Sequence, residues 1–438
     1  MNLTSIIREI EHKYDVENIL SNNIPIWQFL RNIIFDQGND IKKINNIKKI
    51  YYLLRNKNWG NYSVSQKHKY VLFSDLREEI LENSLRIDKT CQNLIDLISD
   101  DLMVVINPSG KRHPHTSNYK YNHMSTSFFH YNRWKGGLLK SVEIENKEIL
   151  NQVLKTYNIE LDVNYYNCLF FTYVNIFSDW LKDVSPKAVF INCYYSLFHQ
   201  ALIFACRQKN ITCIEIQHGL ISNSHTHYSP EKFIGNQTMP NYLLCYNDYV
   251  KDLTNKNYLE PENIIPVGHC YLEKKLNDKC KNHSLDSATY KKIVVVSTQN
   301  RLQKELIQRI EQVAKIKAEV LFIIKARDHR PIISKYKNIK ISSKDIYALI
   351  KQADIHISCY STVALEASMM GTPTILININ NMAKLYFDLI VKKYKNIKIC
   401  ESNTEVIDKI DNWCPEKPAN LPYALNNKER IKIFLESI

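Results

Sequence analysis

Ordered disulfide and metal chemistry are the first things this sequence argues against. Its 11 cysteines are odd in number and scattered from Cys91 to Cys414. No two have C-x-x-C spacing, and no Cys/His group has metal-ligand spacing. Reduced thiols in the cytoplasm fit this pattern, with no metal or other cofactor expected. Long apolar runs are also missing. No stretch reaches the roughly 18 residues of a membrane span, and the opening MNLTSIIREIEHKYD lacks the apolar core of a secretory signal. Glycine is scarce, 9 in 438 residues, which excludes fibrous and low-complexity classes. No internal repeat and no nucleic-acid module stand out, so no nucleic-acid partner is expected.

What is present is ordinary globular material with a basic bias. Hydrophobic residues make up 45% and charged residues 24%. A chain of this length is too long for one typical core, which predicts two domains. The net charge of +13 favours anionic partners, either phosphorylated substrates or an anionic membrane face.

Residues 1–60 read as helical. The apolar IPIWQFLRNIIF, Ile24 to Phe35, carries Arg31 in its middle. Between Ile41 and Trp59, lysines and arginines alternate with Ile47, Ile50, Tyr51, Leu54 and Trp59. Such a segment either lies on an anionic lipid surface, making the protein peripheral to the inner membrane face, or packs on its own domain with a solvated basic face.

From residue 69 onward, buried strands alternate with helices, the signature of parallel sheets. Strands are expected at 69–74, 102–106, 188–193, 212–216, 242–245 and 264–267, with helices at 88–98, 165–181 and 197–209. This gives a first Rossmann-like domain over residues 1–275. Residues 117–160 resist assignment, and PSGKRHPH (108–115) is either an anion-contacting loop or an exposed one. A polar linker near 268–287 leads to a second such domain over 288–415. Its strands are expected at 293–296, 320–325 and 339–341, with helices at 302–315 and 345–351. Residues 416–438 carry a last helix that can fold back on the first domain.

Five strand ends carry candidate chemistry. Asp75 and Arg77 end the first strand. Gln217-His218-Gly219 ends another, followed by His225, His227 and Tyr228. An imidazole there suits general-base work near neutral pH, or simply orders its loop. Ser297, Thr298 and Gln299 suit a phosphate or a helix N-cap. Lys325 to Pro331, with Arg327 and His329, suits a nucleotide phosphate or is a solvated basic loop. The stretch from Ile355 to Leu376 (IHISCYSTVALEASMMGTPTIL) reads strand, turn, helix, strand. It carries Ser358, Ser361, Thr362 and Glu366, whose ordinary roles are N-cap and helix-dipole residues, with Gly371 as C-cap.

Together these motifs resemble a known family. Q-H-G, then K-x-x-x-H-x-P, then S-x-x-S-T-x-x-x-E-A-x-x-x-G-x-P are similar to GT-B glycosyltransferases of bacterial capsule, lipopolysaccharide and teichoic-acid assembly. IPIWQFLR and LFSDLRE add to the likeness, which is densest over residues 210–380. The sequence departs from it where Arg330 separates His329 from Pro331. The resemblance implies an α/β GT-B fold, two Rossmann-like domains with parallel sheets facing an interdomain cleft. It implies metal-independent transfer of a sugar from a nucleotide-sugar donor to a lipid-linked or growing polysaccharide acceptor. By that carry-over Lys325 and His329 would contact donor phosphate, Ser361 and Thr362 would add hydroxyl contacts and Glu366 would hold the ribose or sugar, while Arg327, Ser297, Thr298, Gln299 and Ser358 are donor-site candidates read from the residues themselves. His218 or Asp75 would be the base, and Arg77, Gln217, Gly219, His227 and Tyr228 would meet the acceptor. Alternatives in the same fold are a CDP-glycerol-type polyol-phosphate transferase, a CMP-Kdo or CMP-sialic acid transferase, and a nucleotide-sugar 2-epimerase. A non-catalytic scaffold is the alternative outside enzymes.

Overall fold

The computed structural model describes residues 3–37, 46–61, 67–108, 113–278, 289–327, 332–415 and 420–438. The chain divides into two compact units. The first comprises residues 1–218, 225–270 and 426–438, and the second residues 219–224 and 271–425.

The first unit is built on seven strands, all paired in parallel. In sheet order they are Ile264–Pro266, Tyr242–Cys245, Thr212–Ile216, Ala188–Ile191, Tyr70–Asp75, Leu102–Asn107 and Asn122–Ser125. Parallel sheets are covered on both faces, so their strands read as continuous apolar runs. Tyr70 to Ser74 and Leu102 to Ile106 are buried throughout for that reason. Numbered along the chain, the strand order is 7-6-5-4-1-2-3. The direction of winding therefore reverses between Tyr70–Asp75 and Ala188–Ile191. Such a reversal opens a crevice at the carboxyl ends of the strands.

Three segments differ from the sequence reading, and a fourth is a helix as expected. Ahead of the helix Gln92–Ile98 lies an antiparallel hairpin, Glu79–Glu82 with Leu85–Asp88. Its turn residues Asn83 and Ser84 both have positive φ, 48° and 68°. This is the two-residue hairpin turn that Asn-Gly usually announces, made here with serine. Residues 117–160 contain the edge strand Asn122–Ser125 and the helices Ser127–Gly136 and Lys147–Thr156. The polar stretch after Gly268 opens with a helix, Cys270–Asn277. On the helix Asn46–Asn56, Ile50, Tyr51 and Leu54 are exposed, whereas Trp59 stacks on His113 at 3.8 Å between ring centroids.

The second unit has six parallel strands in the order Ile339–Ile341, Val320–Lys325, Lys292–Ser297, Ile355–Ser358, Thr374–Ile377 and Ile397–Cys400. Numbered along the chain this is 3-2-1-4-5-6, the dinucleotide-fold order, with its switch point between Lys292–Ser297 and Ile355–Ser358. One apolar cluster gathers Val294, Val296, Phe322, Ile324, Ile357 and Ile375 under the helix Gln303–Ile316, through Leu306, Ile310 and Val313. Leu321, Ile323 and Leu349 pack on the opposite face. Among the described residues no helix is long and apolar enough to cross a membrane. Nor is there a group of three or more His, Cys, Asp or Glu able to hold a metal.

Candidate active site

At the switch point of the second unit, Ser297 and Ser358 end neighbouring strands with their hydroxyls 3.1 Å apart. Beneath them, the buried His356 sets Nε2 2.8 Å from the Ser297 Oγ and Nδ1 3.2 Å from the Thr374 Oγ1. Burial pushes the His356 imidazole down to about 3, so it stays neutral and orients both hydroxyls. His356 looked like one polar residue in an apolar strand, and sequence reasoning passed over it.

Around this floor the turns are tied to one another. The Thr298 hydroxyl donates to the Gln303 Oε1 (2.7 Å) and accepts from the Arg327 N–H (3.1 Å). The Gln299 Oε1 accepts from the Tyr360 N–H at 3.1 Å, joining the ends of two neighbouring strands. The Lys325 ammonium donates to the Ser343 carbonyl at 2.8 Å, and Arg327 is exposed. Ser297 and Lys325 are direct partners in the sheet register. In the turn that follows, the Ser361 Oγ accepts from the Val363 N–H at 3.3 Å. Thr362 is half-buried, and Glu366 is buried in the short helix Val363–Met369. Gly371, at φ 84°, supplies the left-handed residue that ends this helix. Asp328, His329, Arg330 and Pro331 lie outside the described residues. One feature was not foreseen: Tyr360 stacks on Tyr386, with ring centroids 5.4 Å apart and planes at 19°. The charges of Arg301 and Arg327 act on Tyr360. Tyr386 belongs to the helix Met382–Lys393, which carried no assignment from sequence.

In the first unit, Asp75 ends the strand on one side of the switch point. Both of its oxygens are engaged. Asp75 Oδ1 accepts from the Arg77 N–H (2.9 Å) and Nε (3.1 Å). Oδ2 accepts from the Arg77 Nη2 (2.9 Å) and the Asn107 Nδ2 (3.1 Å). His218 follows Thr212–Ile216, two strands away, with Nε2 3.5 Å from the Tyr195 hydroxyl. Burial lowers its pKa from the ordinary value, Glu78 and Asp75 pull it upward, and Arg77 opposes them. The result favours a neutral imidazole with base character.

The other candidates on this edge divide by direction. Gln217 is buried and its Oε1 accepts from the Tyr246 N–H at 2.8 Å. Tyr228 is buried, its hydroxyl donating to the Glu215 Oε1 at 2.8 Å. Glu215 also accepts from the Tyr258 hydroxyl (2.7 Å) and the Tyr194 N–H (3.2 Å). Desolvation pushes its carboxyl up to about 7 against the pull of these donors. This network anchors the loop that carries His225 and His227. At Gly219 a Cβ would meet open space and φ is not left-handed, so neither packing nor backbone conformation in this chain requires glycine there.

No protein-family model matches this chain, and no curated protein matches it by sequence. Solved structures match its fold. The UDP-GlcNAc 2-epimerase of Methanocaldococcus jannaschii aligns at TM-score 0.52 with 13% identity, over 84% of this chain and 99% of that one. The Neisseria meningitidis UDP-GlcNAc 2-epimerase bound to UDP-GlcNAc aligns at 0.51 with 15% identity, over 84% and 99%. A Listeria monocytogenes protein assigned as a UDP-N-acetylglucosamine 2-epimerase aligns at 0.53 with 12% identity, over 85% and 96%. The chain thus has the GT-B type of fold, two α/β domains each with a parallel sheet.

Proposed function

We propose that this protein is a metal-independent glycosyltransferase that moves a sugar from a nucleotide-sugar donor to a hydroxyl of a lipid-linked or growing surface polysaccharide. The observation that carries this reading is the contrast between the two candidate bases. Asp75 is held by Arg77 and Asn107 at both oxygens, while His218 is kept neutral by burial. His218 would take the acceptor proton as the hydroxyl attacks the anomeric carbon. A base on the acceptor side fits direct displacement with inversion. In the second unit, Lys325, Arg327 and His329 would offset charge on the departing nucleotide phosphate, an electrostatic role of the kind that dominates many enzymes. The Tyr360–Tyr386 stack offers a platform for the base, and Glu366 a partner for ribose hydroxyls. The same arrangement suits a UDP-sugar, CDP-glycerol or a CMP-linked acid sugar.

A nucleotide-sugar 2-epimerase is the second reading, favoured by the solved structures named above. Incubation with UDP-GlcNAc alone, followed by proton NMR, separates the two. The transferase reading predicts an unchanged donor spectrum apart from slow hydrolysis. Rapid appearance of the 2-epimer or its free sugar would replace it with the epimerase reading.

A further inference from the structure

We propose that the first unit carries an oxyanion site, formed by His225 and His227 with Arg31 behind them, that recognises a phosphate or carboxylate on the acceptor. The site extends the transferase reading by giving its acceptor a charge, and it rests on that reading only for the word acceptor.

The three side chains come from distant parts of the sequence. Arg31 lies in the helix Trp27–Gln37, and the histidines lie in the loop after the strand Thr212–Ile216. The histidine rings gather about Tyr195. The His227 ring stacks on it at 4.4 Å between centroids, His225 lies at 5.4 Å, and His218 at 6.2 Å. The two loop histidines are 5.2 Å apart. Arg31 has no exposed surface and gives one nitrogen, Nη1, to the Glu11 carboxylate at 2.8 Å. Its Nε and Nη2 make no well-formed hydrogen bond within the protein, although the Tyr194 hydroxyl lies close enough to feel the guanidinium, and the Nδ1 atoms of His225 and His227 are likewise without a well-formed partner.

Buried polar nitrogens without well-formed partners are costly, and four of them on side chains that act on one another electrostatically need a reason. An oxyanion supplies it. It accepts several hydrogen bonds at once, as guanidinium and imidazole groups are well suited to give. The histidines agree with this. Burial lowers both, His225 to about 3, and each is lowered further by other nearby positive charge, Arg31 included. A negative charge would relieve that repulsion. Its acceptor would then be held beside His218, whose Nε2 meets the Tyr195 hydroxyl.

The test is thermal stabilisation by methyl phosphate and, separately, by acetate, at constant ionic strength with chloride as control. Stabilisation that grows with anion concentration is expected. His225→Gln and His227→Phe should each weaken it roughly tenfold. Both variants should keep the native circular dichroism spectrum, since glutamine keeps a polar group at the half-buried His225 and phenylalanine keeps the ring volume at the buried His227. Which anion stabilises more assigns the acceptor group as phosphate or carboxylate. No stabilisation by either, or stabilisation unchanged in both histidine variants, would overturn the site. Sugar transfer is not needed for this readout, so failure of the transferase reading would be seen separately, in the UDP-GlcNAc experiment.

Discussion

His218→Ala is expected to lower turnover by about two to four orders of magnitude while leaving nucleotide binding intact. That range is what a positioned general base contributes. The argument runs from the strand upward. Thr212–Ile216 is a buried parallel strand, and the residues after it stand on the carboxyl edge of the sheet. Buried Gln217 anchors the backbone there through Tyr246, so His218 does not share the freedom of an ordinary loop residue. The pH profile adds a second signature. Burial is the largest influence on His218 and lowers its pKa below the ordinary 6.5. A neutral imidazole is the active form, so turnover should stay flat from pH 8 to about 6.5 and fall only below that. Asp75→Asn should do less, because it changes a carboxylate already paired with Arg77. A His218→Ala loss under tenfold, or a larger loss in Asp75→Asn, would move the base to Asp75.

Glu11→Ala should destabilise the first unit by about 3–5 kcal/mol, the usual cost of breaking a buried ion pair from one side. Glu11 and Arg31 both have fully buried side chains. The Glu11 carboxylate accepts from the Arg31 Nη1 (2.8 Å), the Trp27 Nε1 (3.2 Å) and the Glu231 N–H (3.0 Å). Its removal strands a guanidinium and leaves the buried Trp27 Nε1 and the part-buried Glu231 N–H without their acceptor. Urea unfolding followed by tryptophan fluorescence is a suitable measurement, because Trp27 is buried at this site. A change below 1 kcal/mol would mean that the pair is relaxed by water and that Arg31 is less constrained than the oxyanion site requires.

Strands were the most legible part of the chain. Val71 to Phe73, Val294 to Val296 and Leu321 to Ile324 are apolar on both faces because helices cover both sides of each sheet, and an apolar run betrays that directly. The hairpin at 79–88 was not legible, since Asn83-Ser84 lacks the glycine that marks such turns and its strands carry glutamates. The last strand and helix before residue 415 also carried no assignment from sequence. Ile397–Cys400 is a short strand fully buried only at its two ends, and Asn403–Asn412 is a mostly polar helix. Among site residues, strand ends could be located because each ends an apolar run. Which way a side chain turns from a strand end could not be read, so Tyr228 and Gln217, candidates for acceptor contact, turn into the core instead. Arg31 showed only as a charge inside an apolar helix. Its partner Glu11 and the histidines near it are 20 and about 200 residues away, and only the fold brings them together.

The central claim is that the carboxyl edge of the second unit binds a nucleotide, and one measurement tests it most directly. The melting temperature of the wild type and of Glu366→Ala should be followed against increasing UDP, CDP, CMP, GDP and dTDP. Binding to the native state alone stabilises by about 2.7 kcal/mol at a hundredfold excess over Kd. At least one nucleotide should raise the wild-type melting temperature with concentration, and Glu366→Ala should need more of it for the same rise. A flat response to all five would contradict the account, as would an unchanged response in Glu366→Ala.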